Sequence, residues 1–244
     1  MATLSEIVSR RSDLGTFVVH ITRHHEGRTA KANLTEIIKT GKIIAHSPFG
    51  SAVKALEGAS KKGQVSADDM ATQKAVCFTE TPLEHLHLML ATIEDVKRDC
   101  EFGPYGIAIT KKVARQRRVN PIWYVDITPG HDWLILHVNN LVEDAISKGN
   151  FAKSDIAKLT PFIEQMGTGE GYRKEFWWER EWRHRGNFVL PDTVIALAPE
   201  EEHEEFAKII ESSHIEARLI DPRWGLEAII ARLAGFEPED VGPF

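Results

Sequence analysis

Cysteine is nearly missing from this sequence. Its 244 residues contain only Cys77 and Cys100, too few for a disulfide framework. No apolar run approaches the roughly 20 residues that span a bilayer. There is no Cys-x-x-Cys and no His-Glu-x-x-His, so the spacings that hold zinc are absent. His24, His25, His85, His87, His131 and His203 therefore read as surface or hydrogen-bonded core residues, and no metal is expected. The overall positive charge of a dedicated nucleic-acid binder is lacking too: 30 Lys and Arg against 36 Asp and Glu give a formal net charge of -6. No charged-plus-apolar leader precedes the first strand, and there is no internal repeat. These absences lead to the expectation of a cytoplasmic protein that does not engage a membrane.

One local basic segment runs against the acidic balance: Lys111, Lys112, Arg115, Arg117 and Arg118. It reads either as the solvated face of a short helix or as a contact for phosphate on a nucleic acid. Cys77 lies inside an apolar stretch with no obvious activating cation and reads as a small core residue rather than a nucleophile.

The elements mix without a regular strand–helix–strand period. Strands are expected at 16–22, 75–79, 105–110, 121–126, 193–198 and 217–220. Helices are expected at 2–12, 33–41, from about 83, and at 111–117, 133–148, 153–166, 200–212 and 223–234. In the 33–41 helix, Asn33 reads as the N-cap with Glu36 three residues on, and Gly41 as the stop. The stretch 47–72 reads as a long, partly helical loop, and 167–171 as a glycine-rich hinge that only superficially resembles a phosphate cradle. The expected class is α+β, with a split, mainly antiparallel sheet and flanking helices. We expect one domain over 1–244, with a core at about 16–198 and a C-terminal αβα extension at 199–244.

The segment Phe176-Trp177-Trp178-Glu179-Arg180-Glu181-Trp182-Arg183 is the most informative in the chain. Read as one extended strand, it places Glu179, Glu181 and Arg183 on one face. Carboxylates are poor strand formers, so this face reads as either the lining of a cleft or a solvated edge with an i,i+2 ion pair. His20 and Thr22 at the end of the first strand, and Thr79 and Glu80 at the end of the second, extend the constellation.

The order of these pieces (His20-x-Thr22, a helix with Leu34, Ile37 and Ile38, then Cys77-Phe78-Thr79-Glu80, then Glu179-x-Glu181) resembles the ADP-ribosyltransferase superfamily, particularly the DarT-like toxins. The segments 76–83, 105–108, 120–124 and 179–183 resemble more closely the AbiGi-like abortive-infection proteins of phage resistance, over most of 16–198. The resemblance implies an ADP-ribosyltransferase-like fold and a cleft for NAD, consumed as a substrate. It implies that His20 and Thr22 hold the nicotinamide-ribose region and that Arg23 or Arg28 faces the pyrophosphate. Phe78 and Tyr105 would stack on nicotinamide, with Thr79 and Glu80 at the same cleft. Glu181 would hydrogen-bond the ribose and stabilise the developing oxocarbenium charge, Glu179 would orient or deprotonate the acceptor, and Arg183 would keep both carboxylates ionised. The acceptor would be nucleic acid or protein. Two other readings stay open: a non-catalytic antitoxin or sensor module that binds a cognate toxin or other partner through the same cleft, and a nuclease using Glu179, Glu181 and His20.

Overall fold

The computed structural model describes residues 15–95 and 102–236. The helix expected at 2–12 and Cys100 lie outside the described residues. The strands are β1 (Phe17–Arg23), β2 (Lys42–Ile43), β3 (Ala75–Thr79), β4 (Phe102–Thr110), β5 (Asn120–Pro121), β6 (Trp123–Asp126), β7 (Ile163–Gly169), β8 (Tyr172–Lys174), β9 (Glu181–Arg185), β10 (Phe188–Val189), β11 (Thr193–Leu197) and β12 (Glu216–Ile220). The helices are α1 (Ala30–Thr40), α2 (Val53–Ser60), α3 (Ala67–Ala71), α4 (Leu86–Asp95), α5 (Lys111–Gln116), α6 (Trp133–Ser147), α7 (Ile156–Leu159), α8 (His203–Glu211) and α9 (Leu226–Ala234). No helix among the described residues is long and apolar enough to cross a membrane. The chain falls into two compact units. One comprises residues up to 42, 78–116 and 189 onward; the other comprises 43–77 and 117–188.

The first unit is built on a mostly antiparallel sheet. Strands β12, β11, β4 and β1 lie side by side in that order, with β3 next to β1. Central β4 pairs antiparallel with β1, His20 opposite Ile107, and with β11, Ile195 opposite Ala108; β11 and β12 are parallel. The β-branched and apolar residues that mark β1 and β4 as strands also fill the core, where Val18, Val19, Ile107, Ala108 and Ile109 are buried. Helix α1 buries Leu34, Ile37 and Ile38, the i, i+3, i+4 stripe of its sequence. It ends where expected, at Gly41, whose φ of 62° only glycine adopts cheaply. Its start is one turn earlier than the sequence reading: Thr29, not Asn33, caps it, accepting from Ala32 N at 3.1 Å. Asn33 is drawn off to the Arg23 carbonyl, to which its Nδ2 donates at 2.8 Å.

The second unit carries a small sheet in the order β6-β7-β8, with β6 and β7 parallel and β7 and β8 antiparallel. Strand β9 pairs antiparallel with β5, with Asn120 opposite Arg183. Two expectations fail here. The strand expected at 121–126 is two strands, because the chain changes partners at Ile122: Pro121 pairs with β9 while Trp123 pairs with Ile163 of β7. The helix expected at 153–166 survives only as α7 and two 3-10 turns, after which β7 begins. Pro161 supplies the reason, since it has no N–H to continue the α-helical ladder, and the chain tightens there into the 3-10 turn at 160–162 before turning extended at Ile163. The Thr160 hydroxyl is instead buried against Gln73 Oε1 at 2.8 Å.

Candidate functional site

The Glu-x-Glu segment does not form one strand. Residues 177–179 are a 3-10 turn, and Arg180 sits in the left-handed region at φ 48°, ψ 54°. Only from Glu181 is the chain extended. Alternation therefore relates Glu181 to Arg183 but not to Glu179, because one left-handed residue breaks the period of two.

Arg183 is the centre of the arrangement. At 2% exposure it is among the largest fully buried side chains of the protein. Its Nε donates to Glu181 Oε1 at 2.8 Å and its Nη2 to Glu181 Oε2 at 2.9 Å, a fork-on-fork pair. Nη2 also donates to Glu164 Oε2 at 2.6 Å, and Nη1 to the Pro161 carbonyl at 2.8 Å. The guanidinium carbon lies 5.1 Å from the centre of the Phe49 ring. Burial would raise the pKa of Glu164, but the charges of Arg183 and Lys174 outweigh it and hold the carboxyl below its ordinary value. Burial alone would lower the Arg183 pKa, yet the Glu181 charge, foremost among the neighbouring groups, raises it. The sulfur of Cys77 is affected too: burial, then the Glu181 charge, pushes its thiol well above the ordinary value, which leaves it a poor nucleophile.

Tyr124 lies near both glutamates of the motif. The backbone N–H of Glu181 donates to the Tyr124 hydroxyl at 2.9 Å. That phenol is pushed up to about 12, chiefly by burial, with the charges of Glu181 and Glu179 adding to it. Beside it, a cavity of about 240 Å³ is lined by Tyr124, Asp126, Thr128, Met166, Glu175 and Trp177. Trp177 is held there by the 3-10 turn that Arg180 stops.

The predicted cofactor-binding residues belong to the first unit. His20 meets the Phe78 ring edge-on at 5.8 Å. Thr22 is buried and donates to the Ala30 carbonyl at 2.8 Å, tying β1 to the start of α1. Phe78 is core, 2% exposed. The hydroxyls of Thr79 and Thr81 lie 2.8 Å apart. Glu80 is buried in an ion pair with Lys111. The Tyr105 hydroxyl donates to Glu202 Oε1 at 3.1 Å, and burial followed by that bond pushes it up to about 12. Tyr105 also lines a cavity of about 410 Å³ with His24, Thr29, Lys31 and Phe102, where Lys31 is already bound to Glu205 at 2.7 Å.

The basic segment divides. Lys111 faces inward to Glu80, while Lys112, Arg115 and Arg118 are exposed. Arg118 has a φ of 63°, so the segment is not one continuous helical face. Residues 111–116 fall in the first unit, Arg117 and Arg118 in the second. Sequence reasoning missed Glu164, because it lay in a segment read as helix; Pro161 was the available signal. It also left Tyr124 without a role, and nothing local to Tyr124 reveals that a strand 57 residues on would donate to it.

Neither the curated proteins nor the solved structures contain a match to this chain. Residues 54–210, well over half of the chain, match the family model “Putative abortive phage resistance protein AbiGi, antitoxin”. The chain belongs to the AbiGi family of abortive phage resistance proteins.

Proposed function

We propose that this protein is the antitoxin of an abortive-infection pair and acts by binding its cognate toxin rather than by catalysis. The family description supports this reading. The observation that carries it is the state of Glu181. Both of its carboxylate oxygens accept from the buried Arg183, which also binds Glu164. A carboxylate that stabilises a developing oxocarbenium ion must present an oxygen to the sugar. Here Arg183 engages both Glu181 oxygens and offsets the carboxylate's charge, which weakens the electrostatic stabilisation it could offer a developing cation. The arrangement has the economy of a structural cluster.

The transferase reading, with NAD as substrate and Glu181 at the ribose, is tested by the same experiment. The protein is co-expressed with the product of the neighbouring gene, growth and complex formation are followed, and nicotinamide release from NAD is measured on the purified protein. Relief of growth arrest together with a stable complex and no nicotinamide release is the expected result. Nicotinamide release that disappears in a folded Glu181→Gln variant would overturn the proposal in favour of the enzyme.

A further inference from the structure

The cavity beside Tyr124 has a size and a charge that limit what it can hold. At about 240 Å³ it is smaller than the roughly 300–1,000 Å³ of sites that enclose a whole small ligand. It has room for one long side chain. Two aromatic residues, Tyr124 and Trp177, line it together with Met166. Asp126 and Glu175 line it as well, and none of the described lining residues is basic.

The walls are set in advance by contacts of their own. Trp177 is 60% exposed, although an indole is among the side chains that gain most from burial. Its turn is stopped on one side by left-handed Arg180. On the other side, the Phe176 N–H donates to Met166 Sδ at 3.0 Å and the Trp178 indole donates to the Glu175 carbonyl at 3.1 Å. Asp126 Oδ1 accepts from the Thr128 N–H at 2.7 Å, and the Thr128 hydroxyl accepts from the Thr168 N–H at 3.1 Å. Gly167 permits this close packing, since a Cβ there would stand 2.7 Å from Thr128 Oγ1 and 2.9 Å from Asp126 Oδ1. The hydroxyl and then the N–H of Thr128 hold the Asp126 carboxyl below its ordinary value, so it is charged at neutral pH. A surface fixed before its ligand arrives loses less conformational freedom on binding.

Aromatic faces attract cations, tryptophan most strongly, and nearby carboxylates add to that attraction. A guanidinium suits such walls better than an ammonium, because it is planar, weakly hydrated and forked. The chain already displays this chemistry at the rim. Arg173, 77% exposed, places Nε 2.6 Å and Nη2 2.5 Å from Glu175 Oε2. An ion pair so exposed contributes little and is readily exchanged. We propose that the cavity receives one arginine side chain of the cognate toxin, stacked on Trp177 and paired with Asp126 and Glu175, for which Arg173 is the resident competitor. The source of the arginine rests on the antitoxin reading; the preference for a guanidinium rests on the cavity alone.

The probe is N-acetyl-arginine amide, titrated into the full chain and followed at the indole N–H resonance that Trp177→Phe removes. N-acetyl-lysine amide and the uncharged N-acetyl-citrulline amide are the controls. The expected dissociation constant for the arginine probe is on the order of 1 mM, with lysine at least threefold weaker and citrulline weaker still. Asp126→Asn, which keeps the oxygen that accepts from Thr128, should weaken arginine binding at least threefold, and Arg173→Ala should tighten it about threefold. No response to arginine, binding of lysine or citrulline as tight as that of arginine, or an affinity that either substitution leaves unchanged would overturn the proposal. In the complex with the neighbouring gene's product, Trp177→Ala should weaken affinity at least tenfold. A complex indifferent to Trp177→Ala would overturn the proposal and leave the antitoxin reading in place. Arginine binding without any toxin complex would instead unseat the antitoxin reading and leave the cavity's preference for a guanidinium standing.

Discussion

Replacing Arg183 by Met removes one cation and leaves two carboxylates behind. Arg183 is 2% exposed, and the side chains of Glu181 and Glu164 are 15% and 16% exposed. Met preserves most of the volume, so the cost is electrostatic rather than a cavity. Breaking a buried ion pair by removing one partner costs about 3–5 kcal/mol, because the surviving charge stays buried without compensation. At an m-value of about 2 kcal/mol per molar urea, that moves the unfolding midpoint down by about 2 M. Five of the six tryptophans (Trp123, Trp133, Trp177, Trp178 and Trp182) lie in the second unit, so fluorescence-detected unfolding reads the unit in question. The pH dependence has a definite sign. In the wild type, the pKa of Glu164 is held down by Arg183 and Lys174. It therefore contributes stability that is present above its unfolded value of about 4.3 and lost as pH falls through the lower folded value. In Arg183→Met that value rises, so protonation relieves the penalty and the gap to wild type narrows from pH 7 toward pH 4. Adding Glu164→Gln and Glu181→Gln to Arg183→Met should recover at least half of the loss at pH 7. A loss under about 1 kcal/mol, or one that the glutamines leave unchanged, would refute the view of this cluster as a mutually dependent buried network.

Three further outcomes are expected. Gly50 has a φ of 99°, and a Cβ there would meet the Thr160 carbonyl oxygen at 1.9 Å, so Gly50→Ala should cost about 3 kcal/mol or more in urea unfolding followed by tryptophan fluorescence. Lys111→Gln strips the buried Glu80 of its Lys111 contact and should cost about 2 kcal/mol, whereas the exposed Lys112→Gln should stay within about 0.5 kcal/mol; equal effects in chemical unfolding would restore Lys111 to the solvated patch. The Asp221 carboxyl, nearly fully buried, accepts from the Glu200 and Arg223 backbone N–H groups, both at 2.7 Å, as well as from the Arg223 side chain. Burial opposes its ionisation, but the Arg223 and backbone bonds win and hold its pKa below the ordinary value. Asp221→Asn should therefore lower amide-exchange protection in β12 by about 1–2 kcal/mol at neutral pH. That difference should close as pH falls below about 3.9, the ordinary aspartate value, and the wild-type carboxylate protonates.

Much of the local structure was legible because its cause is local. The β-branched runs of β1, β3, β4 and β11 declare strands, and Gly41 stops α1 because the left-handed position there favours glycine. Where the reading failed, a contact distant in sequence or one residue's backbone had overridden it. Thr29 caps α1 one turn before Asn33, whose amide donates instead to the Arg23 carbonyl. Residues 163–166 became strand because Pro161 ended the helix and β6 lay ready to pair. Arg180 entered the left-handed region and took Glu179 out of the strand of Glu181, a turn that no alternation of polar and apolar residues announces.

The candidate site divides along the same line. Sequence alone determined that Glu181 and Arg183 share a face, since two residues on one side of an extended strand are neighbours wherever the strand goes. It also determined family membership, which the matched residues carry without reference to coordinates. Only tertiary structure decided what that face meets. Glu164, Pro161 and Phe49 come from three other segments and turn an i,i+2 pair into a buried cluster. The difference is physical: an ion pair between neighbours on an exposed strand contributes little, whereas the same pair sealed under a proline carbonyl, a second carboxylate and an aromatic ring cannot lose one member without leaving a charge in the interior.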